Sequence, residues 1–144
     1  MVARQVEPMF KDEKPRKNAM KPKDKATELH SMVVRARDGY TCRLCGRSDR
    51  QIQCAHIFSR RYAATRTDEE NAVALCAGCH MRLTDRPHEH VTYFKHTVLG
   101  LERWEALMAK ATNGEGKRHK DDFWRAEVAR LKLELAALLK ETDR

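Results

Sequence analysis

Apolar residues recur at helical spacing in separate stretches of the chain, with turn signals between them. From Ala26 to Asp38, Leu29, Val33 and Ala36 fall on one face with Met32 beside them, which predicts a helix capped by Thr27 and closed at Asp38-Gly39. Residues 51–58 read as a short strand, followed by a basic loop to Thr67. Residues 68–75 lead to a turn at Cys76 to Cys79, and His80 to Leu83 opens a helix. Pro87 to Leu99 is helical, with Val91, Phe94 and Val98 on one face and Gly100 as the stop. Leu101 to Ala111 is a second amphipathic helix carrying Trp104, Leu107 and Met108. After the linker around Asn113, a last helix runs from Asp121 to Thr142. Its Trp124, Val128, Leu131, Leu135 and Leu138 alternate steps of four and three, a seam that packs on the rest of the chain or pairs two copies. Residues 1–25 are rich in lysine and interrupted by Pro8, Pro15 and Pro22, and read as a flexible basic arm.

Composition narrows what such a pattern can be. Of 144 residues, 41% are hydrophobic and 35% charged, so the core is thin and a staple is expected. The net charge of +8 suits a polyanionic partner, because basic side chains displace counterions condensed on nucleic acid. A solubilising basic tail is the plainer use of the same charge. No stretch approaches the ~20 apolar residues of a membrane span, and the first residues carry no apolar signal core. A cytoplasmic location, in a bacterial or phage-infected cell, is therefore expected, where the five cysteines stay reduced.

Those cysteines are spaced for metal. Cys42-Arg43-Leu44-Cys45 and Cys76-Ala77-Gly78-Cys79 each form a tight turn that aims two thiolates at one ion. Two such turns complete a tetrahedral sulfur shell, whose usual occupant is zinc. Its role would be structural, closing a long loop in a chain with little core. Cys76 to His80 also fits the c-type haem pattern, but that attachment requires export and leaves Cys42 and Cys45 unexplained. Cys54, beside Ile52, Ala55 and Ile57, reads as a small core residue.

Between the cysteine turns lie Ala55-His56-Ile57 and Asn71-Ala72-Val73-Ala74-Leu75, and directly after the second lies His80, leading on through Met81-Arg82-Leu83-Thr84. In this order, over roughly residues 30–85, the chain resembles the HNH endonuclease family, including phage and restriction-associated members. The resemblance implies an α+β fold: a small zinc-bound ββα-metal domain with flanking helices. It implies metal-dependent hydrolysis of phosphodiester bonds in DNA, double-stranded or branched, leaving a 5′-phosphate and a 3′-hydroxyl. Carried over by position, His56 is the general base, Asn71 braces the loop that aims it, and His80 holds a catalytic divalent metal, Mg²⁺ or Mn²⁺. Many members carry an acidic residue or histidine before the base as a second metal ligand, and this chain has Ala55 there. Asp68, Glu69, Glu70, Asp85 and His88 are near in sequence as substitutes.

Arg60 and Arg61, just past His56, with Arg43, Arg47 and Arg66, are the expected phosphate contacts. His88, His90 and His96 read as the exposed face of a helix. The expected organisation is a basic arm over 1–25, the nuclease domain over 26–112, and a linker with the amphipathic helix over 113–144, which offers a homodimer contact. Two other readings stay open. Ala55 favours a non-catalytic zinc module that binds nucleic acid, and the last helix favours a protein-interaction scaffold.

Overall fold

A computed structural model describes residues 19–114 and 119–142. Most of the expected arm, residues 1–18, lies outside the described residues, as do 115–118 of the linker. Helix α1 spans Pro22–Arg37 and so begins inside the stretch assigned to the arm. Proline suits that first turn, where the N–H it lacks would go unpaired and its φ is already helical. Thr27 is consequently not the cap: its Oγ1 donates to the Lys23 carbonyl one turn back, at 2.9 Å. The helix ends at Asp38, and Gly39 takes the left-handed φ of 64° that turns the chain into the first cysteine loop.

Two strands follow, β1 (Ile52–His56) and β2 (Ala72–Cys76), paired antiparallel with Cys54 opposite Ala74 and His56 opposite Ala72. Between them, residues 57–71 form a loop with two single 3₁₀ turns, at Ala63–Thr65 and Glu69–Asn71. Helix α2 (Ala77–Asp85) starts earlier than His80, because the Cys76 sulfur accepts the Cys79 N–H and caps it. The β1–β2–α2 unit is the ββα arrangement expected of the α+β fold.

Strand alternation sends Ala55, Val73 and Leu75 to one side of the hairpin. There they pack with Leu83, Phe94, Leu99, Trp104 and Leu107 into the larger core. Helix α3 (Pro87–Thr92) runs into a π-helical segment, Tyr93–Leu99, before α4 (Leu101–Thr112). The wider turn brings Phe94 and Leu99, five positions apart, to the core together. It also leaves Val91 exposed, against the simple helical pattern. Met108 of α4 likewise faces out.

Helix α5 (Asp121–Thr142) lies on α1. Trp124 and Leu131 pack against Ala26, Leu29 and Val33, with Val128, Leu135 and Leu138 at the margin. Of the two uses open to this seam, it takes the one within the chain. The expected homodimer contact therefore loses its apolar core to α1.

Candidate functional site

The sulfur atoms of Cys42, Cys45, Cys76 and Cys79 all lie within 4.8 Å of one another, so the two turns do converge on one point. The Cys45 and Cys76 sulfurs are 3.8 Å apart. Backbone N–H groups of Cys45 and Cys79 point at the sulfurs of Cys42 and Cys76, at 3.5 Å each. Burial pushes the Cys42 thiol up, but hydrogen bonds from the backbone at Cys45, Cys76 and Leu44 and from the Cys45 side chain outweigh it and bring it down to about 6. Burial and the crowd of neighbouring thiols raise Cys79. Four thiolates this close repel unless a cation sits among them. The donor set and its spacing fit a structural zinc ion.

A cleft of about 870 Å³ runs along β1. One wall is α1, through Asp24, Thr27, Glu28, Ser31 and Arg35; the other carries His80 and Thr84 of α2. His56, Ser59, Arg60 and Arg66 line it too. His56 and His80, distant in sequence, thus open on one space.

Each site residue is held by named bonds. His56 Nε2–H donates to the Arg66 carbonyl at 3.1 Å, which leaves Nδ1 as the lone-pair nitrogen. Burial, and then the facing His30, lower its pKa from 6.5 to about 4. The imidazole is therefore neutral at pH 7. Asn71 is fully buried. Its Nδ2 donates to the carbonyls of Phe58 (3.0 Å) and Thr65 (2.9 Å), and its Oδ1 accepts the Phe58 N–H (2.8 Å). It ties the start of the loop, two residues past His56, to the middle of the same loop. His80 Nδ1–H donates to Gln53 Oε1 at 2.8 Å, leaving Nε2 to accept. Burial lowers its pKa as well.

The charged residues divide by location. Arg60 is exposed in the cleft. Arg66 reaches it but is spent within the fold, donating to Thr27 Oγ1 (2.6 Å), the Arg60 carbonyl (3.2 Å) and Asp24 (3.4 Å). Arg61 lies over the Tyr62 ring. Arg43 stands near Asp38 at 3.9 Å, and Arg47 borders the cysteine turns. The acidic run is committed elsewhere: Asp68 pairs with Lys110 (2.6 Å), Glu69 with Arg130 (2.7 Å) and Glu70 with Arg103 (2.8 Å). The carboxylates that line the cleft are Asp24 and Glu28, both on α1.

The sequence reading misses several of these neighbours. His30 is buried at the α1–β1 contact, its Nε2 on the Asp68 carbonyl at 3.0 Å. A signal was present: His30 falls between Leu29 and Val33 on the helical stripe. His90 is half-buried rather than exposed, its ring edge-on to Phe94 and bonded to the His56 backbone. Cys54 lines the cleft beside His30 and His56 instead of lying in the core.

Residues 42–86 match the family model of the HNH endonucleases. That span holds both cysteine turns, the hairpin and α2, while α1, with His30, precedes it. Comparison with curated proteins and with solved structures finds no match. Among the described residues, no helix is long and apolar enough to cross a membrane.

Proposed function

We propose, from the HNH endonuclease domain that residues 42–86 form, that this protein is a metal-dependent DNA endonuclease acting through His56 and His80. At the level of the family, the domain stands for a nuclease or nucleic-acid-binding role. The observation that carries the finer reading is the pair of ring orientations in one cleft. His56 presents Nδ1 with its proton-bearing Nε2 fixed on a carbonyl, and His80 presents Nε2 with Nδ1 fixed on Gln53.

A neutral His56 takes a proton from the attacking water at Nδ1, and the Arg66 carbonyl steadies the imidazolium that results. Asn71 acts on this step indirectly, as a positioning residue that keeps the strand end and loop in register. His80 Nε2 would hold the divalent ion, and Asp24 and Glu28 are the carboxylates that line the same cleft. Mg²⁺ or Mn²⁺ bound there would polarise the phosphate and stabilise the leaving oxygen. Magnesium favours oxygen donors and keeps several waters, so a site with a single imidazole suits Mn²⁺ better. Arg60 contacts the phosphate backbone, and the net charge of +8 supports that contact through counterion release.

Ala55 favours one other reading, a zinc module that binds nucleic acid without cutting it, because the position offers no second ligand. His56→Ala separates the two. On the nuclease reading it abolishes cleavage and leaves DNA affinity nearly unchanged. A wild-type protein that binds DNA in a salt-sensitive way and cuts none with either metal belongs to the second reading.

A further inference from the structure

Two ring nitrogens and a sulfur, from His30, Cys54 and His56, lie within 4.8 Å of one another beside the cleft. Cys54 and His56 alternate along β1 and so project to one side, where α1 brings His30 against them. The rings stand with centroids 5.2 Å apart.

Hydrogen bonding decides what the nitrogens can do. His30 Nε2–H donates to the Asp68 carbonyl and His56 Nε2–H to the Arg66 carbonyl. Each ring therefore keeps a lone pair on Nδ1. His30 is 0% exposed, and its Nδ1 is the buried side-chain polar atom without a partner among the described residues. Leaving such an atom buried and unpaired is destabilising. The bond to Asp68 accounts for Nε2 and leaves Nδ1 without a structural role. An N–H held by a backbone carbonyl with the other nitrogen open is how metal-bound imidazoles are oriented.

We propose that His30, Cys54 and His56 form a second metal site, for a thiophilic divalent cation of the zinc class, separate from the four-cysteine centre. Two imidazoles and a thiolate are a borderline-soft set that selects Zn²⁺ over Mg²⁺. As the Cys54 sulfur bonds the ion, the thiol proton leaves to solvent. Cys54 and His56 both line the cleft, which gives an ion a way in from solvent. One consequence rests on the nuclease reading: the ion takes the His56 lone pair that water's proton needs, so zinc at this site stops cleavage. Binding itself does not depend on that reading.

The test is a calorimetric titration of the full chain, already carrying zinc at its four cysteines, with further zinc. An additional equivalent is expected in the wild type and is lost in Cys54→Ala and in His30→Gln, with circular dichroism confirming that both variants fold. Cobalt added to the zinc-loaded wild type gives a second reading that needs no variant: tetrahedral bands with a sulfur-to-cobalt charge-transfer band. No further equivalent, an equivalent that survives Cys54→Ala, or cobalt binding without the sulfur band would each overturn the site. Failure of the protein to cut DNA defeats the nuclease reading and leaves this titration untouched.

Discussion

His30 and His56 face each other across the α1–β1 contact, each fixed through Nε2 to a carbonyl of one loop, Asp68 for His30 and Arg66 for His56. A helix that precedes the span matched to the family thus forms the inner wall of the site. The loop is held from several sides. Lys110 and Arg103 of α4 and Arg130 of α5 pair with its acidic run, and Arg37 of α1 donates to the Glu69 carbonyl at 2.7 Å. The flanking helices therefore do more than enlarge the core, since they set the direction of both imidazoles.

The depressed histidines make folding sensitive to acid. The unfolded chain protonates His56 near 6.5, and the folded chain only near 4, with His30 shifted in the same direction. Between those values the unfolded state binds more protons, so stability is full above about pH 6.5 and falls as pH drops toward 4. Each pH unit in that window removes about 1.4 kcal/mol per fully depressed group. Urea melts across the window should show this loss, and His56→Asn should flatten it. Equal midpoints for the wild type throughout the window would contradict the buried-neutral assignment.

Asn71 supports both the fold of the loop and the direction of His56. Asn71→Ala leaves the Phe58 N–H and carbonyl without their Asn71 partner and the Thr65 carbonyl with the Asp68 N–H alone, a cost of about 3 kcal/mol. Cleavage should fall further than DNA affinity, because the change displaces His56 and not the phosphate contacts. A variant with wild-type stability and rate would remove Asn71 from its role.

A metal ion held by the four cysteines would contribute folding energy directly, since the unfolded chain has no preformed site. A strong chelator should lower the melting temperature sharply, and Cys42→Ser should mimic it without chelator. An unchanged melt after verified metal loss would mean the hairpin stands on its core alone.

The arginines should behave differently from one another. Arg60→Ala, in the cleft, should weaken DNA binding and reduce the salt slope by roughly one phosphate contact. Arg43→Ala, beside Asp38 and away from the cleft, should change neither by much. Equal effects at both positions would indicate a diffuse basic surface.

The parts legible in the sequence are those set by local spacing. The cysteine turns and the four-three steps of α5 each announce themselves within a few residues, and the order His56, Asn71, His80 is fixed by its place between and after those turns. What escaped depends on contacts between distant segments. Three acidic residues beside a basic loop look like spare metal ligands until their partners, Lys110, Arg130 and Arg103, are placed on other helices. An apolar period predicts a helix over 87–99 but not its π-helical widening, which decides that Leu99 and not Val91 meets the core. His30 sits on the buried stripe of α1, yet nothing in the stripe says that it meets β1.

The most direct measurement is cleavage of supercoiled plasmid by protein carrying a single equivalent of zinc, at its four cysteines, with Mg²⁺, Mn²⁺ or EDTA, beside His56→Ala and His80→Ala. Nicking or linearisation that requires the added divalent metal and both histidines is expected, with DNA binding retained by His56→Ala. Cutting that persists in both variants, or no cutting with either metal by a folded protein that binds the plasmid, would contradict this expectation.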